Sequence, residues 1–151
     1  MTRPSPRTEL SSREIGERLA AKGDGVLSFG GEPSYAIPVS FGYDVPNDRV
    51  VFQFVFGPDS TKRRYIDERG AVTLVSYEWS GPDDWWSVVV SGRLAPIEDE
   101  GGAVAAAEVF AEYATPIGLA AFDDASEDLD PEWYELTFEA VAGRCAPALA
   151  D

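Results

Sequence analysis

The chain contains no histidine. This removes Ser-His-Asp and Cys-His catalysis, histidine-based metalloprotease helices, His-ligated haem and His-rich zinc sites together. Cysteine occurs once, as Cys145, so no internal disulfide and no four-cysteine metal site can form. No metal centre is expected. Lysine occurs twice, as Lys22 and Lys62, and the other ten basic residues are arginines. No apolar run approaches the roughly 20 residues needed to span a bilayer. Residues 1–8 carry Arg3 and Arg7 but no hydrophobic stretch of the kind a signal peptide needs. The expected location is the cytoplasm.

What is present is an acidic, globular composition. Hydrophobic residues make up 44% of 151 residues and aromatics 12%, enough for one domain with a real core. Against 12 basic residues stand 27 acidic ones, a net charge of -15. A field of that sign repels phosphate backbones and anionic lipid, so neither nucleic acid nor membrane is an expected partner. Acid excess with little lysine resembles the proteome style of salt-in halophilic archaea. A carboxylate-rich surface stays hydrated when multimolar salt screens its repulsion to within about 3 Å.

Residues 1–10 contain proline and arginine without periodicity and are expected as a flexible arm, leaving 11–151 as the domain. Ser11 to Lys22 reads as a helix, with Ser11 and Glu14 at capping-box spacing and Gly23-Asp24-Gly25 as its stop. Short alternating segments then follow at Val26–Phe29, Tyr35–Tyr43 and Arg49–Phe56, with Pro46-Asn47 as turn chemistry. Pro38 cannot donate to a ladder, so its strand must lie at an edge, a bulge or a ligand-facing break. Asp59 to Arg69 reads as a short helix. Ala71–Trp79 and Trp85–Ile97 are strands, the second with Gly92 as a bulge. Gly102 to Ala114 is a helix, Asp123 to Glu132 an acidic loop, and Trp133 to Val141 a final strand. The fold expected is mainly β with some α: a six-stranded antiparallel split β-barrel with peripheral helices.

Ser60, Thr61, Lys62, Arg63 and Arg64 cluster at the start of the second helix. Such a start favours an anion, because its free N–H groups and dipole meet hydroxyl and cationic side chains. The same residues also fit a capped surface helix with a solvated basic face. Trp79, Trp85 and Trp86 can stack on a ligand or fill the core. Cys145 has no general base nearby in sequence, and the acidic run from Asp123 lacks EF-hand spacing.

The order of these features resembles the pyridoxamine 5'-phosphate oxidase-like, FMN-binding split-barrel family. It rests on a Pro-interrupted strand, a turn, an aromatic strand, Ser-Thr-Lys opening a helix, and later WWSVVVSGRL. The resemblance implies that the strand of Ala36, Ile37, Pro38, Val39 and Ser40 flanks an isoalloxazine ring. It implies that Gln53 and Phe54 face ring and ribityl, and that Ser60, Thr61, Lys62 and Arg63 hold the FMN phosphate. Ser87, with Trp86 adjacent, would reach flavin bound mainly by the other subunit of a homodimer. The implied activity is FMN-dependent oxidation or reduction of a small molecule. A non-catalytic flavin-, deazaflavin- or haem-binding sensor is the alternative. The histidine-containing substrate segment of true pyridoxamine 5'-phosphate oxidases has no counterpart here.

Overall fold

A computed structural model describes residues 8–55, 64–66, 70–116 and 131–147. Helix α1 spans Ser12–Lys22. Strands β1 (Asp24–Phe29), β2 (Tyr35–Ser40), β3 (Gly42–Asp44) and β4 (Arg49–Val55) follow. The long strands β5 (Ala71–Gly81) and β6 (Asp84–Pro96) form a hairpin. Helix α2 (Glu100–Tyr113) then leads toward β7 (Pro131–Cys145).

The strands form one seven-stranded sheet in the order β2-β1-β5-β6-β7-β4-β3, every neighbouring pair antiparallel. The two edge strands, β2 and β3, are consecutive in sequence, with Phe41 alone between them. In a flat sheet those edges would lie six spacings apart, about 29 Å. Two peptide units reach about 7 Å. The sheet therefore curls until its edges meet, and Phe41 lies fully buried at the junction. The result is a split barrel.

This corrects the expected strand count from six to seven. The segment Tyr35–Tyr43 is not one strand. It pairs with β1 up to Ser40, passes through Phe41, and pairs with β4 from Gly42. Of the expected arm, residues 1–7 lie outside the described residues. Leu10 donates from its N–H to Gly143 O, and Thr8 O accepts from Cys145 N–H, so residues 8–10 run beside the end of β7. The acidic segment of residues 123–130 also lies outside the described residues.

Inward side chains fill the barrel. Leu27, Phe29, Phe52, Leu74, Val88, Val90 and Leu136 are fully buried, each worth about 1.5–3 kcal/mol relative to exposure. Helix α1 packs Ile15 and Leu19 into this core. Its start is the capping box read from sequence: Glu14 N–H donates to Ser11 Oγ at 3.2 Å and Ser11 N–H to Glu14 Oε1 at 3.0 Å. Its end is Gly23 at φ 69°, a left-handed conformation that favours glycine. Helix α2 begins at Asp99, which accepts from Gly102 N–H at 2.6 Å, and packs against β3 and β4. Among the described residues no helix is long and apolar enough to cross a membrane.

Candidate functional site

Pairing registers divide the expected site residues between two faces of the sheet. On β2, Val39 is buried and Ile37 packs against the core, whereas Pro38 is exposed on the outer face. Among the described strands β2 is an edge, and an edge tolerates a proline, which has no N–H to give to a ladder. Ser40 is committed elsewhere, since its Oγ donates to Thr115 O at 2.6 Å. On β4, Phe54 points inward, stacked on Phe52 at 5.5 Å and tilted against Tyr134. Its neighbour Gln53 is exposed on the other face. β2 and β4 approach one another where the edges of the sheet meet.

Trp86 and Ser87 separate in the same way. Trp86 belongs to the core, with the Arg18 guanidinium 5.8 Å from its ring centroid. Ser87 is half-buried on the outer face, in register with Tyr77 and Arg144. In sheet order β6 stands three strands from β2, about 14 Å at the usual strand spacing. One protomer therefore does not bring Ser87 beside Pro38. Ser60, Thr61, Lys62 and Arg63 lie outside the described residues. Just beyond them, Tyr65 and Ile66 are buried, and the Tyr65 ring stacks on Tyr35 at 4.7 Å.

The outer face is apolar along one unbroken row. Pro38, Val26, Val75, Val89 and Ala142 stand in register across five strands. Val26 and Val89 remain 36% and 38% exposed. Beside this row lies a groove of about 490 Å³, with Asp24, Val26 and Pro38 on one wall and Tyr77, Glu78 and Trp79 on the other. It exists because β5 runs on past the start of β1: the β1–β5 pairing ends at Val26 and Val75, while β5 continues to Gly81. Of the three tryptophans considered for stacking, Trp86 fills core, Trp85 is half-buried and Trp79 stands out in this groove. The sequence reading missed Tyr77. Its signal was alternation in Tyr77-Glu78-Trp79, which places two aromatics on one face.

A second polar feature was also missed. Asp44 Oδ2 accepts from Asn47 Nδ2 and Arg49 Nε, each at 2.9 Å, and Arg49 Nη1 donates to Glu135 Oε2 at 2.6 Å. Burial alone would raise the Asp44 pKa. The bonds from Asn47 and Arg49 outweigh it and hold the carboxyl below its ordinary range. Burial would likewise lower Arg49, but Glu135 and Asp44 raise it. Burial and the bond to Asp48 raise the Tyr43 phenol, whose Oη donates to Asp48 Oδ1 at 2.6 Å. These groups hold one another and present no free general base. Among the described residues no cluster of three or more Cys, Asp or Glu side chains could hold a metal ion.

A seven-stranded antiparallel sheet closed through Phe41, with a Pro-bearing edge strand beside an outer apolar face, defines a split-barrel protein. The pyridoxamine 5'-phosphate oxidase family matches residues 11–145, and the chain belongs to that family. No curated protein matches it by sequence. Solved structures share the fold. The FAD-binding protein from Mycobacterium smegmatis superposes with a TM-score of 0.67 at 19% identity, over 94% of this chain and 100% of that one. An FAD-binding protein from Mesorhizobium loti gives 0.68 at 21% identity, over 91% and 96%. The haem-binding protein from M. smegmatis gives 0.63 at 17% identity, over 93% of this chain and 54% of that one.

Proposed function

We propose that this chain is a homodimeric FMN-binding flavoprotein acting as an oxidoreductase on a small molecule. The observation that carries the reading is the edge strand β2, with Pro38 turned outward beside the groove, in a chain matched to the family from residue 11 to 145. The backbone of β2 fits the alternating donors and acceptors of a flavin's pyrimidine ring. Flavin binding by two structural neighbours supports the same choice. The flavin supplies the redox chemistry, so the chain needs no histidine and no free side-chain base.

The chain's own residues hold and orient the group. Ser60, Thr61, Lys62 and Arg63 bind the phosphate with charge-assisted bonds. Ala36, Ile37, Pro38, Val39 and Ser40 present their backbone to the ring, and Gln53 faces it from β4. Ser87 reaches the ring held by the other protomer, which agrees with its three-strand separation from β2. The apolar row from Pro38 to Ala142 is the face covered by the second copy. A histidine-ligated haem is excluded because the chain has no histidine.

The test is the visible absorption of protein purified in high KCl, with the released chromophore identified. Flavin bands, or their appearance on adding FMN, are expected. A haem spectrum, or a protein that stays colourless with FMN, overturns the reading. Turnover with a reduced nicotinamide then separates an enzyme from a carrier.

A further inference from the structure

We infer that Thr115 is a latch: it holds the edge strand β2 against the end of α1, and through β2 it positions the ring that this strand carries. The positioning half rests on the flavin reading; the latch itself does not.

Three segments of the chain meet at Thr115. Its N–H donates to Gly23 O at 3.0 Å and its Oγ1 to Lys22 O at 2.6 Å, while its own carbonyl accepts from Ser40 Oγ at 2.6 Å. All its polar groups are engaged although the residue is exposed to water. The last carbonyls of a helix have no partner within it. Lys22 closes α1, so Thr115 caps that helix from 93 residues away. Gly23 O also accepts from Phe41 N–H at 2.9 Å. One carbonyl thus holds both the latch and the residue that follows β2. The fit is close: a Cβ on Gly23 would overlap Tyr113 O and lie 2.7 Å from Thr115 N.

Strand pairing shows why this point governs β2. The β1–β2 ladder runs from Phe29 with Tyr35 to Asp24 with Ser40. The short connection between the strands closes its first end. At the second end the strands part, β1 toward α1 through Gly23 and β2 toward β3 through Phe41. Among the described strands β2 has β1 as its one ladder partner, so the parting end is where β2 opens most readily. Pro38, two residues before Ser40, has no N–H to strengthen it. The latch ties this end. Bonds that face water exchange for bonds to water at little net gain, so the three bonds add little to overall stability. What they fix is the place of β2.

The test uses the full chain in multimolar KCl. Thr115→Val keeps the side-chain shape and both backbone groups but loses the hydroxyl; Thr115→Ser restores it. Amide hydrogen exchange is followed at Phe41 and, as the contrast, at Leu94, which donates to Gly70 O at 2.8 Å. In Thr115→Val the Phe41 amide should exchange roughly fivefold faster or more, the equivalent of one lost hydrogen bond. Leu94 should keep its wild-type rate, and Thr115→Ser should return Phe41 to its own. Equal acceleration of both amides is general destabilisation; that result, or an unchanged Phe41, overturns the latch. Affinities for FMN and riboflavin read the positioning half. Both should weaken by the same factor in Thr115→Val and recover in Thr115→Ser, because the latch bears on the ring strand and not on the phosphate. Wild-type affinity for both flavins, or a loss confined to FMN, overturns the positioning half. A wild-type chain that takes up no flavin overturns the flavin reading and the positioning half with it, while Phe41 still decides the latch.

Discussion

Gly92 on β6 lies so close to Thr137 on β7 that a Cβ on the glycine would overlap the Thr137 carbonyl oxygen. The approach coincides with a register shift. Ser91 pairs with Ala140 and Gly92 with Phe138, leaving Glu139 as the extra residue on β7. The bulge changes the parity of the strand. Before it, Tyr134, Leu136 and Phe138 face inward; after it, Gly143 and Cys145 do so, and Ala142 joins Val89 on the outer face. The outer apolar row therefore depends on this contact.

Gly92→Ala should destabilise the fold by about 1–3 kcal/mol, the usual cost of overpacking, because the atom in the way is backbone. Thermal unfolding measures it. Gly101→Ala is the contrast: its nearest neighbouring atom, Asp99 Oδ2, lies 3.8 Å from the added carbon, so no loss of melting temperature is expected.

The Asp44–Arg49–Glu135 network predicts an acid limb. The folded pKa of Asp44 lies below its ordinary value of 3.8. Its contribution is therefore complete above that value and is lost as pH falls through the folded pKa. Urea midpoints should drop over this range, and Asp44→Asn should flatten the drop. Arg49→Met leaves Asp44, 4% exposed, without its cation, at a cost on the order of 3 kcal/mol. Equal acid profiles for wild type and Asp44→Asn would refute this assignment.

The dimer proposal places Val89 on the covered face, between Val75 and Ala142. Val89→Asp puts a charge there while leaving the inward side chains of β6 untouched. Sedimentation in multimolar KCl should give twice 16.4 kDa for wild type and 16.4 kDa for the variant. A wild-type monomer contradicts the shared site.

The charge of -15 predicts salt dependence in the direction of a halophilic protein. Lowering KCl from the multimolar range lengthens the screening distance from about 3 Å to 10 Å or more, so carboxylate repulsion grows. The melting temperature should fall on dilution. A constant or rising value removes the halophilic reading.

Much of the fold was legible because local chemistry agreed with it. Ser11 and Glu14 announce their capping box, Pro38 announces an edge, a bulge or a break, of which the edge is found, and Gly92 marks the register shift although the extra residue, Glu139, lies on the partner strand β7. The break at Phe41 was hidden, because its alternation runs unbroken through a residue that changes strand partners. β7 was read too short, because the extra Glu139 breaks the period and small residues follow it. The Tyr77–Trp79 groove depends on how far β5 outruns β1, a fact of pairing that neither segment encodes alone. Asp44 and Arg49 flank one turn, but Glu135 is 86 residues from Arg49 and joins them only through the β4–β7 ladder.

The central claim is a flavin anchored by its phosphate at Ser60–Arg63, and the most direct measurement is affinity for FMN against riboflavin in wild type and Lys62→Ala. A charge-assisted bond of about 1.5–3 kcal/mol corresponds to roughly ten- to a hundredfold in affinity. At fixed high salt, Lys62→Ala should lose that factor for FMN and little for riboflavin, which lacks the phosphate. Arg13→Ala, exposed on α1, should change neither. Equal losses for both flavins, or no loss for either, would contradict a phosphate site at Lys62.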